Sequence, residues 1–290
     1  AIKKVADHFD LSVDEAALGI VKIVNTNMSG LLQSMTVKRG YDPREFAMVA
    51  FGGAGPIHAA AIAKDLHIPT VIVPPYSGVF SAWGMLMADL RHDLGQTYIA
   101  PLRSAEVGEL NATFASLEEK IREVFRKENV DKKQITMSYQ LDLRYIGQEH
   151  TLAVAAACPV TEAAKASLAE AFDETHLRVY GHNAPEEEKE IVSLKVIGIG
   201  SVNKPVLEKI QKGSKTPPAD ARMGERPVYV GSGRHQTFAI YRRERLLAGN
   251  VIDGPALIEE VTATAVVEAK QSCRVDDYGT LIISVHEEER

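Results

Sequence analysis

The sequence is poor in cysteine, in aromatic residues and in uninterrupted apolar stretches. Only two cysteines, Cys158 and Cys273, occur in 290 residues, far apart and in no CxxC spacing. A cysteine-based metal or redox motif is therefore not expected, and a reducing, cytoplasmic compartment fits best. No uncharged apolar run approaches the roughly 18–20 residues of a membrane-spanning helix. Positive charge is not in excess either: 33 Lys and Arg stand against 39 Asp and Glu, a net charge of −6, which argues against a general nucleic-acid surface. What is present is 45% apolar and 25% charged residues, the balance of an ordinary globular chain. That length and apolar content support about two domains without disulfide or metal staples. The chain opens Ala1-Ile2-Lys3-Lys4, in what reads as the middle of a helix, with neither Met nor signal-peptide pattern. It is expected to be a piece of something longer.

Local patterning predicts the elements. Ser12-Val13-Asp14-Glu15 has capping-box spacing, and Ala16, Ile20, Ile23, Val24, Met28, Leu31, Leu32 and Met35 recur at helical intervals up to Arg39-Gly40. One long amphipathic helix with a glycine stop is expected. Residues 46–51 form a continuous apolar run, read as a buried parallel strand, and a glycine-rich break leads into an Ala-rich helix over 57–66. A second buried strand follows at 70–73, which completes a βαβ unit. Residues 78–89 read as a small-residue helix suited to close packing. Beyond Asp93 the pattern changes: an exposed amphipathic helix over 109–127, strands at 134–145 and 151–156, a helix at 161–180 ended by Gly181, and a strand at 191–199. Residues 203–226, rich in Lys, Pro and Gly, read as a mobile loop, and 227–285 as short strands separated by turns. The fold class expected is α/β plus α+β, with an α/β part over 1–95 and an α+β accessory domain over 96–290 that becomes β-rich from 227.

The strongest local signal is Val49-Ala50-Phe51-Gly52-Gly53-Ala54-Gly55-Pro56, between a strand and a helix. Glycines there allow a sharp turn and close ligand approach, and the helix start aims N–H groups at the turn. A phosphate, or a purine and ribose lying across the glycines, would suit it. A P-loop is excluded because Pro56-Ile57-His58 follows where Gly-Lys-Ser/Thr is required, and GxGxxG fails at His58. On spacing alone, a tight turn without a ligand explains the motif as well.

The same residues carry a resemblance. VAFGGAGPIHAAAIAKDL with IPTVIVPPYSGVFSAWGMLMADLRHD resembles the hydantoinase A/oxoprolinase family, as do VNTNMSGLLQSMTVKRGYDPREFAMVAFGG upstream and LRYIGQEHTLAV, HLRVYG, RPVYVGSGRHQTFAIY, GPALIEEVTATAVV and VDDYGTLI downstream. The resemblance runs in order over nearly the whole chain and covers only the C-terminal part of the family pattern. It implies the C-terminal part of an actin/Hsp70-like ATPase domain, an ATP and Mg²⁺ requirement in the parent protein, and phosphorylation of a cyclic amide or related carbonyl before ring hydrolysis. A ketone in an ATP-dependent carboxylase is the alternative substrate. Gly52, Gly53, Ala54 and Gly55 would then hold the adenosine side of ATP. The phosphate hairpins of such folds, with Asp-Gly-Gly-Thr turns and magnesium-facing acids, are not found before Gly52. The chain alone is accordingly expected to bind ATP weakly and turn nothing over. A hydantoinase B-type subunit or fused domain is the implied partner, in a homo- or hetero-oligomer, with no nucleic acid and no membrane.

Other residues admit two readings. Asn27 falls near the apolar face of the long helix and could face the nucleotide or cap a buried carbonyl, and its neighbour Asn25 lies close by. His58, in the first turn after the glycines, could reach the cleft or simply pack. Asp89, Arg91, His92 and Asp93 could serve a metal or proton transfer, with an ion-pair network as the plainer account. Arg144, Tyr145, Gln148 and His150 sit around a hairpin and could line a subunit contact or channel; exposed hairpin polarity is the plainer account. Glu186 to Glu188 read as a solvated loop, and Gly231-Ser232-Gly233-Arg234 as a hairpin turn rather than an anion cradle. Lys204, Lys209, Lys212 and Lys215 lack interleaved aromatics, which disfavours nucleic-acid binding. A non-catalytic assembly module, using the C-terminal α+β region, is the competing function. No catalytic residue and no metal ligand is assigned.

Overall fold

The structure, a computed structural model, describes residues 1–285. Helix α1, Ile2–Phe9, breaks at Asp10 in the left-handed conformation, and α2 runs Val13–Met35. The capping box forms as its spacing requires. Ser12 Oγ accepts from the Glu15 N–H at 3.2 Å, and Glu15 Oε2 accepts from the Ser12 N–H at 2.9 Å. Helix α2 ends earlier than expected; a 3₁₀ turn over Val37–Arg39 intervenes before Gly40. Strand β1, Ala47–Val49, and β2, Thr70–Val73, pair in parallel around α3, Gly55–Asp65. Helix α4 spans Phe80–Met87.

Two expectations about burial fail here. The 46–51 run is an edge strand, with Phe46, Val49 and Phe51 each about half exposed, because among the described residues β1 has β2 on one side and nothing on the other. Helix α4 buries none of its residues, so its small side chains meet no close neighbour within the described chain.

The chain then leaves for a second body. Strand β3, Leu90–Pro101, helix α5, Val107–Lys127, strands β4, Ile135–Tyr145, and β5, Leu152–Ala156, helix α6, Ala164–Tyr180, and strand β6, Lys189–Gly200, follow in order. The strands form one antiparallel sheet in the order β3-β6-β4-β5. Leu110, Phe114, Leu117, Ile121 and Phe125 put the apolar stripe of α5 into its core, together with Leu141, Leu143, Phe172 and Leu194. A fully buried side chain of this size contributes about 1.5–3 kcal/mol before chain entropy is counted. The stripe that reads as an exposed amphipathic helix is thus half of a core.

On its return the chain builds two more layers. Residues 205–218 take little regular structure, yet they are tied down rather than hanging free. Gly213 N–H donates to Ala248 O at 2.8 Å, Ala248 N–H to Gln211 O at 2.9 Å, and Val251 N–H to Lys215 O at 2.7 Å. Asn250, fully buried, accepts from Leu247 N–H and donates to Ser214 O. Strand β7, Arg222–Gly231, starts before the expected Pro227 and pairs with β8, Arg234–Arg242. Then come β9, Val251–Asp253, β10, Ala256–Glu259, β11, Thr264–Val267, β12, Ser272–Val275, and β13, Leu281–Ser284. One sheet runs β11-β10-β8-β7. The other runs β1-β2-β13-β12-β9, so β13 lies antiparallel to β2 with Ile282 opposite Ile72.

That last pairing redraws the boundary. The compact units are Ala1–Leu86 with the described residues from Pro205 onward, and Met87–Lys204. The contiguous division at 95/96 does not describe them, because the β-rich end expected in the accessory domain completes the sheet begun by β1 and β2. A two-stranded parallel ribbon is marginal alone. Three antiparallel strands from the far end of the chain supply the rest.

The first unit's core takes Ala59, Ile62 and Ala63 of α3, Val71 and Val73 of β2, and Ile258, Val267, Cys273 and Ile283 of the later strands. Burial pushes the Cys273 thiol up to about 12, whereas Cys158 is exposed. Desolvation and the nearby Glu118 raise the Cys158 thiol as well, so in the native protein near neutral pH Cys158 should react, more slowly than a free thiol, and Cys273 only after denaturant is added. Two fast thiols would contradict this packing.

Candidate functional site

The glycine turn opens at the carboxyl end of β1. Ala50 N–H still donates to Ile72 O at 2.8 Å, and the chain then turns through Phe51, Gly52, Gly53 and Ala54 into α3. Gly52 adopts φ +84°, a conformation that side chains disfavour, and its N–H donates to Ser77 O at 2.7 Å. Gly53 and Ala54 are exposed. Helix α3 begins without a side-chain cap and without an acid in its first turn, and Pro56 occupies the position where a missing N–H is harmless. The positive end of its dipole is therefore not neutralised by its own side chains. In open α/β sheets such crevices beyond the carboxyl ends of parallel strands are where ligands bind.

The loop leaving β2 lies beside it. A cleft of about 750 Å³ there is lined by Tyr76, Val79, Trp83, Arg243, Thr262 and Tyr278 among others. None of Gly52 to Gly55 lines this cleft, so it adjoins the turn rather than containing it. Arg243 and Glu260 form an ion pair at its base, N–O 3.4 Å, with both side chains only 9% exposed. Desolvation lowers the Arg243 guanidinium below its ordinary value, and Glu260 opposes that shift.

Of the two helix residues singled out beside the glycines, one meets an unexpected partner. His58 Nδ1 lies 2.7 Å from Asn25 Oδ1, a bond that ties the first turn of α3 to α2, and both are half-buried. Asn27 is exposed. Two residues farther along a helix is a different face, so Asn25 and not Asn27 meets His58. The helical period of the apolar residues points to Asn27, but that apolar face is itself exposed and α3 meets the face that carries Asn25.

Other candidate clusters do not converge. Asp89 accepts from Val202 N–H and Lys204 Nζ, Arg91 pairs with Asp93 at 2.9 Å, and His92 Nε2 meets Glu128 at 2.8 Å. All of these pairs lie within the second unit, and His92, packed against Phe125, lies on the opposite face of β3 from Arg91 and Asp93. Among the described residues no group of three or more His, Cys, Asp and Glu is placed to hold a metal ion. Glu186 to Glu188 are exposed, and Gly231, Ser232 and Gly233 make the β7–β8 turn with positive φ. Lys209 is paired with Asp277 at 3.0 Å, as Lys204 is with Asp89. No helix of the described residues is long and apolar enough to cross a membrane.

The hairpin group splits. Gln148 and His150 are exposed, and Arg144 pairs with Glu190 at 2.8 Å. Tyr145 instead belongs to a buried network that sequence reasoning missed. Its hydroxyl donates to Asp173 Oδ1 at 2.5 Å and accepts from Ala184 N–H, while Lys189 Nζ meets Asp173 Oδ2 at 2.9 Å and donates to Pro185 O. His176 packs edge-on against Tyr145, its ring centroid 5.0 Å away. The network fastens α6 and the 182–188 loop to β4 and β6.

Burial and the hydrogen bond to Asp173 push the Tyr145 hydroxyl up to about 12, from an ordinary 10.0. The raised value means that its contribution is whole below pH 10 and is lost as pH climbs through 12. Tyr145→Phe should lower stability near neutral pH by about 1–3 kcal/mol and flatten the alkaline decline, read from unfolding midpoints against pH. An unchanged alkaline profile would contradict the network.

With this geometry in place, comparison with known proteins gives a consistent result. The family model described as hydantoinase/oxoprolinase matches residues 1–94, and that described as hydantoinase/oxoprolinase C-terminal domain matches residues 101–284. An uncharacterized protein of Methanocaldococcus jannaschii is 37% identical over 98% of this chain and 40% of its own length. Caprolactamase subunit alpha of Pseudomonas jessenii is 28% identical, over 91% of this chain and 38% of its own. The nucleotide-free structure of acetone carboxylase, described as ATP-dependent, superposes with a TM-score of 0.87 at 28% identity, covering 98% of this chain and 42% of that one. The chain spans about two fifths of the length of these relatives.

Proposed function

The chain belongs to the hydantoinase/oxoprolinase family, and from that premise we propose that its glycine turn holds the adenosine side of ATP in a larger enzyme that activates a cyclic amide or a related carbonyl. The observation that carries the reading is the turn itself: Gly52, Gly53 and Ala54 at the carboxyl end of a parallel strand, leading straight into an α3 start that no side chain caps. Backbone without bulk admits a flat base and a ribose, and the unneutralised helix end favours the phosphates beyond. ATP would convert the unreactive carbonyl oxygen into a phosphate ester, which makes the carbon electrophilic and supplies a leaving group. Gly52 to Gly55 would position adenosine and take no part in that chemistry. His58, fixed by Asn25, would set the orientation of α3's first turn.

The residues fit only one side of the nucleotide. No acid set for Mg²⁺ gathers among the described residues, and we assign the contacts to metal and phosphate to polypeptide beyond them, in a protein of the relatives' length. The first unit supports that assignment. Helix α2 buries only Ala16 and Ser29, Ile20, Ile23, Val24, Leu31 and Met35 are exposed, and the edge of β1 is open. Ala47 and Val49 alternate with the residues that bond to β2, so their backbone groups face that open edge. An exposed apolar helix flank and an open sheet edge each suit a covering layer, the edge one that adds a strand. We assign the layer to the remainder of a polypeptide of the relatives' length.

A hydantoinase B-type subunit is the further partner proposed, since the relatives include a caprolactamase subunit alpha and an acetone carboxylase beta subunit. The hydrolytic reading is put before the ketone-carboxylase one because the family description names hydantoinase and oxoprolinase, which the resemblance associates with cyclic amides. A second reading, an assembly module without nucleotide, draws on the same apolar flank. It differs from the sequence expectation in placing the contact surface on the first unit rather than on the accessory region.

Titration of the 290-residue chain with ATP and Mg²⁺ separates these readings. Saturable binding with a Kd on the order of millimolar and no hydrolysis is expected, since half of the contacts are absent. Hydrolysis by the chain alone would contradict the division of labour, and no binding at all would favour the assembly reading.

A further inference from the structure

We propose that the tip of the β10–β11 hairpin, residues 260–263, is the positioning element for the glycine turn, acting through Glu260 and Thr262 with Arg243 as its lock. The proposal rests on the nucleotide reading of that turn. The residues belong to the stretch GPALIEEVTATAVV, which the proposed chemistry leaves without a role.

Two loops leave the carboxyl ends of β1 and β2, and neither is rigid by its own means. Gly52 N–H bonds to Ser77 O at 2.7 Å, which joins them. Ser77 is fully buried, and its hydroxyl donates to Glu260 Oε1. The other carboxylate oxygen accepts from Arg243 Nη1 at 3.4 Å. Arg243 Nη2 in turn donates to Val73 O at 2.8 Å, the last residue of β2, and to Gly279 O at 3.0 Å, just before β13. An unbroken path of hydrogen bonds therefore runs from the strand ends through the hairpin tip to the glycine turn.

Shape reinforces the path. A Cβ on Gly78 would lie 2.1 Å from Thr262 Oγ1 and 2.9 Å from Thr262 O, so the hairpin is seated in a notch that only glycine leaves. A Cβ on Gly53 would lie 3.2 Å from the same carbonyl. The tip is itself closed by Glu260 N–H to Ala263 O at 2.9 Å. Both loops of the candidate site are thus braced by one residue, Thr262.

The choice of residues argues for position over mere cohesion. A buried ion pair is no more stabilising than well-packed apolar side chains of the same volume, whereas its hydrogen bonds fix a single geometry. Arg243 and Glu260 satisfy each other and three backbone or hydroxyl partners, which an apolar pair would leave unpaired. Because Gly52's amide is held inward by Ser77, the face offered to a ligand is that of Gly53 and Ala54.

The test measures AMP binding by the 290-residue chain and its Ser77→Ala, Thr262→Ala and Ile252→Ala variants, each with its unfolding midpoint. Thr262 is exposed, so its variant is expected to fold even where Ser77→Ala does not. Ser77→Ala should raise the AMP Kd about five- to tenfold, the loss of one positioned contact. Thr262→Ala should raise it by less, because it removes the hydroxyl seated over Gly78 and keeps the carbonyl beside Gly53. Ile252→Ala, in the core of β9 at the far edge of the sheet from β1, should lower the midpoint at least as much and leave the Kd unchanged. Wild-type binding with unchanged affinity in both loop variants overturns the positioning role and leaves the nucleotide reading standing. A Kd that merely follows the midpoint, Ile252→Ala included, also overturns it. Absence of AMP and ATP binding by the wild-type chain overturns both.

Discussion

Strand β2 has two neighbours that reach it from opposite ends of the chain, and the first unit depends on that arrangement. Its parallel partner β1 arrives through α3, and its antiparallel partner β13 arrives after the whole second unit has been made. Val71 and Val73, which share one face, are fully buried because both sides of the strand and that face are then occupied. Without β13 the βαβ element would be a two-stranded ribbon with a helix on it, below the size that holds in water. With β13 in place, the carboxyl ends of β1 and β2 are fixed, and so are the loops that leave them.

From that frame the candidate site follows. A glycine turn cannot choose its own conformation, since glycine loses more freedom on ordering than any other residue. Order is imposed from outside, by Ser77 O on Gly52 and by Thr262 against Gly53 and Gly78. These contacts come from segments that the late strands bring into place. The β-rich end of the chain is therefore not an appendage to the half that carries the glycine turn. It is the part that completes the sheet and holds the turn. The second unit carries its own core and its own buried Tyr145–Asp173–Lys189 network, and stands as a separate body.

Features governed by neighbours in sequence were legible. The Ser12–Glu15 capping box, the parallel β1–α3–β2 unit, the helix ended by Gly181 and the hairpin turn at 231–233 follow from local spacing, and all are present. The family resemblance was legible for the same reason, as runs of matching residues. What escaped was set by distant partners. Strand β3 was not expected because its twelve residues carry Arg91, His92, Asp93 and Gln96 on an edge that tolerates them. The 46–51 run looked buried because composition records apolarity and not which side a covering layer occupies. The change of pattern near residue 95 marks the passage into the second unit, while the return of the chain from Pro205 to finish the first sheet is set by strand pairing. Asp173 and Lys189 gave no signal, since a buried charge differs from a surface one only by the partner it meets.

The central claim is that Gly52 to Gly55 form the adenosine side of a nucleotide site, and mapping where a nucleotide touches tests it most directly. Backbone amide NMR shifts of the labelled chain, recorded as adenosine nucleotide is added, should move at Gly53, Ala54, Gly55 and the first turn of α3, His58 included. Shifts confined to the neighbouring cleft around Trp83 and Tyr278, or no saturable shifts at all, would contradict the account.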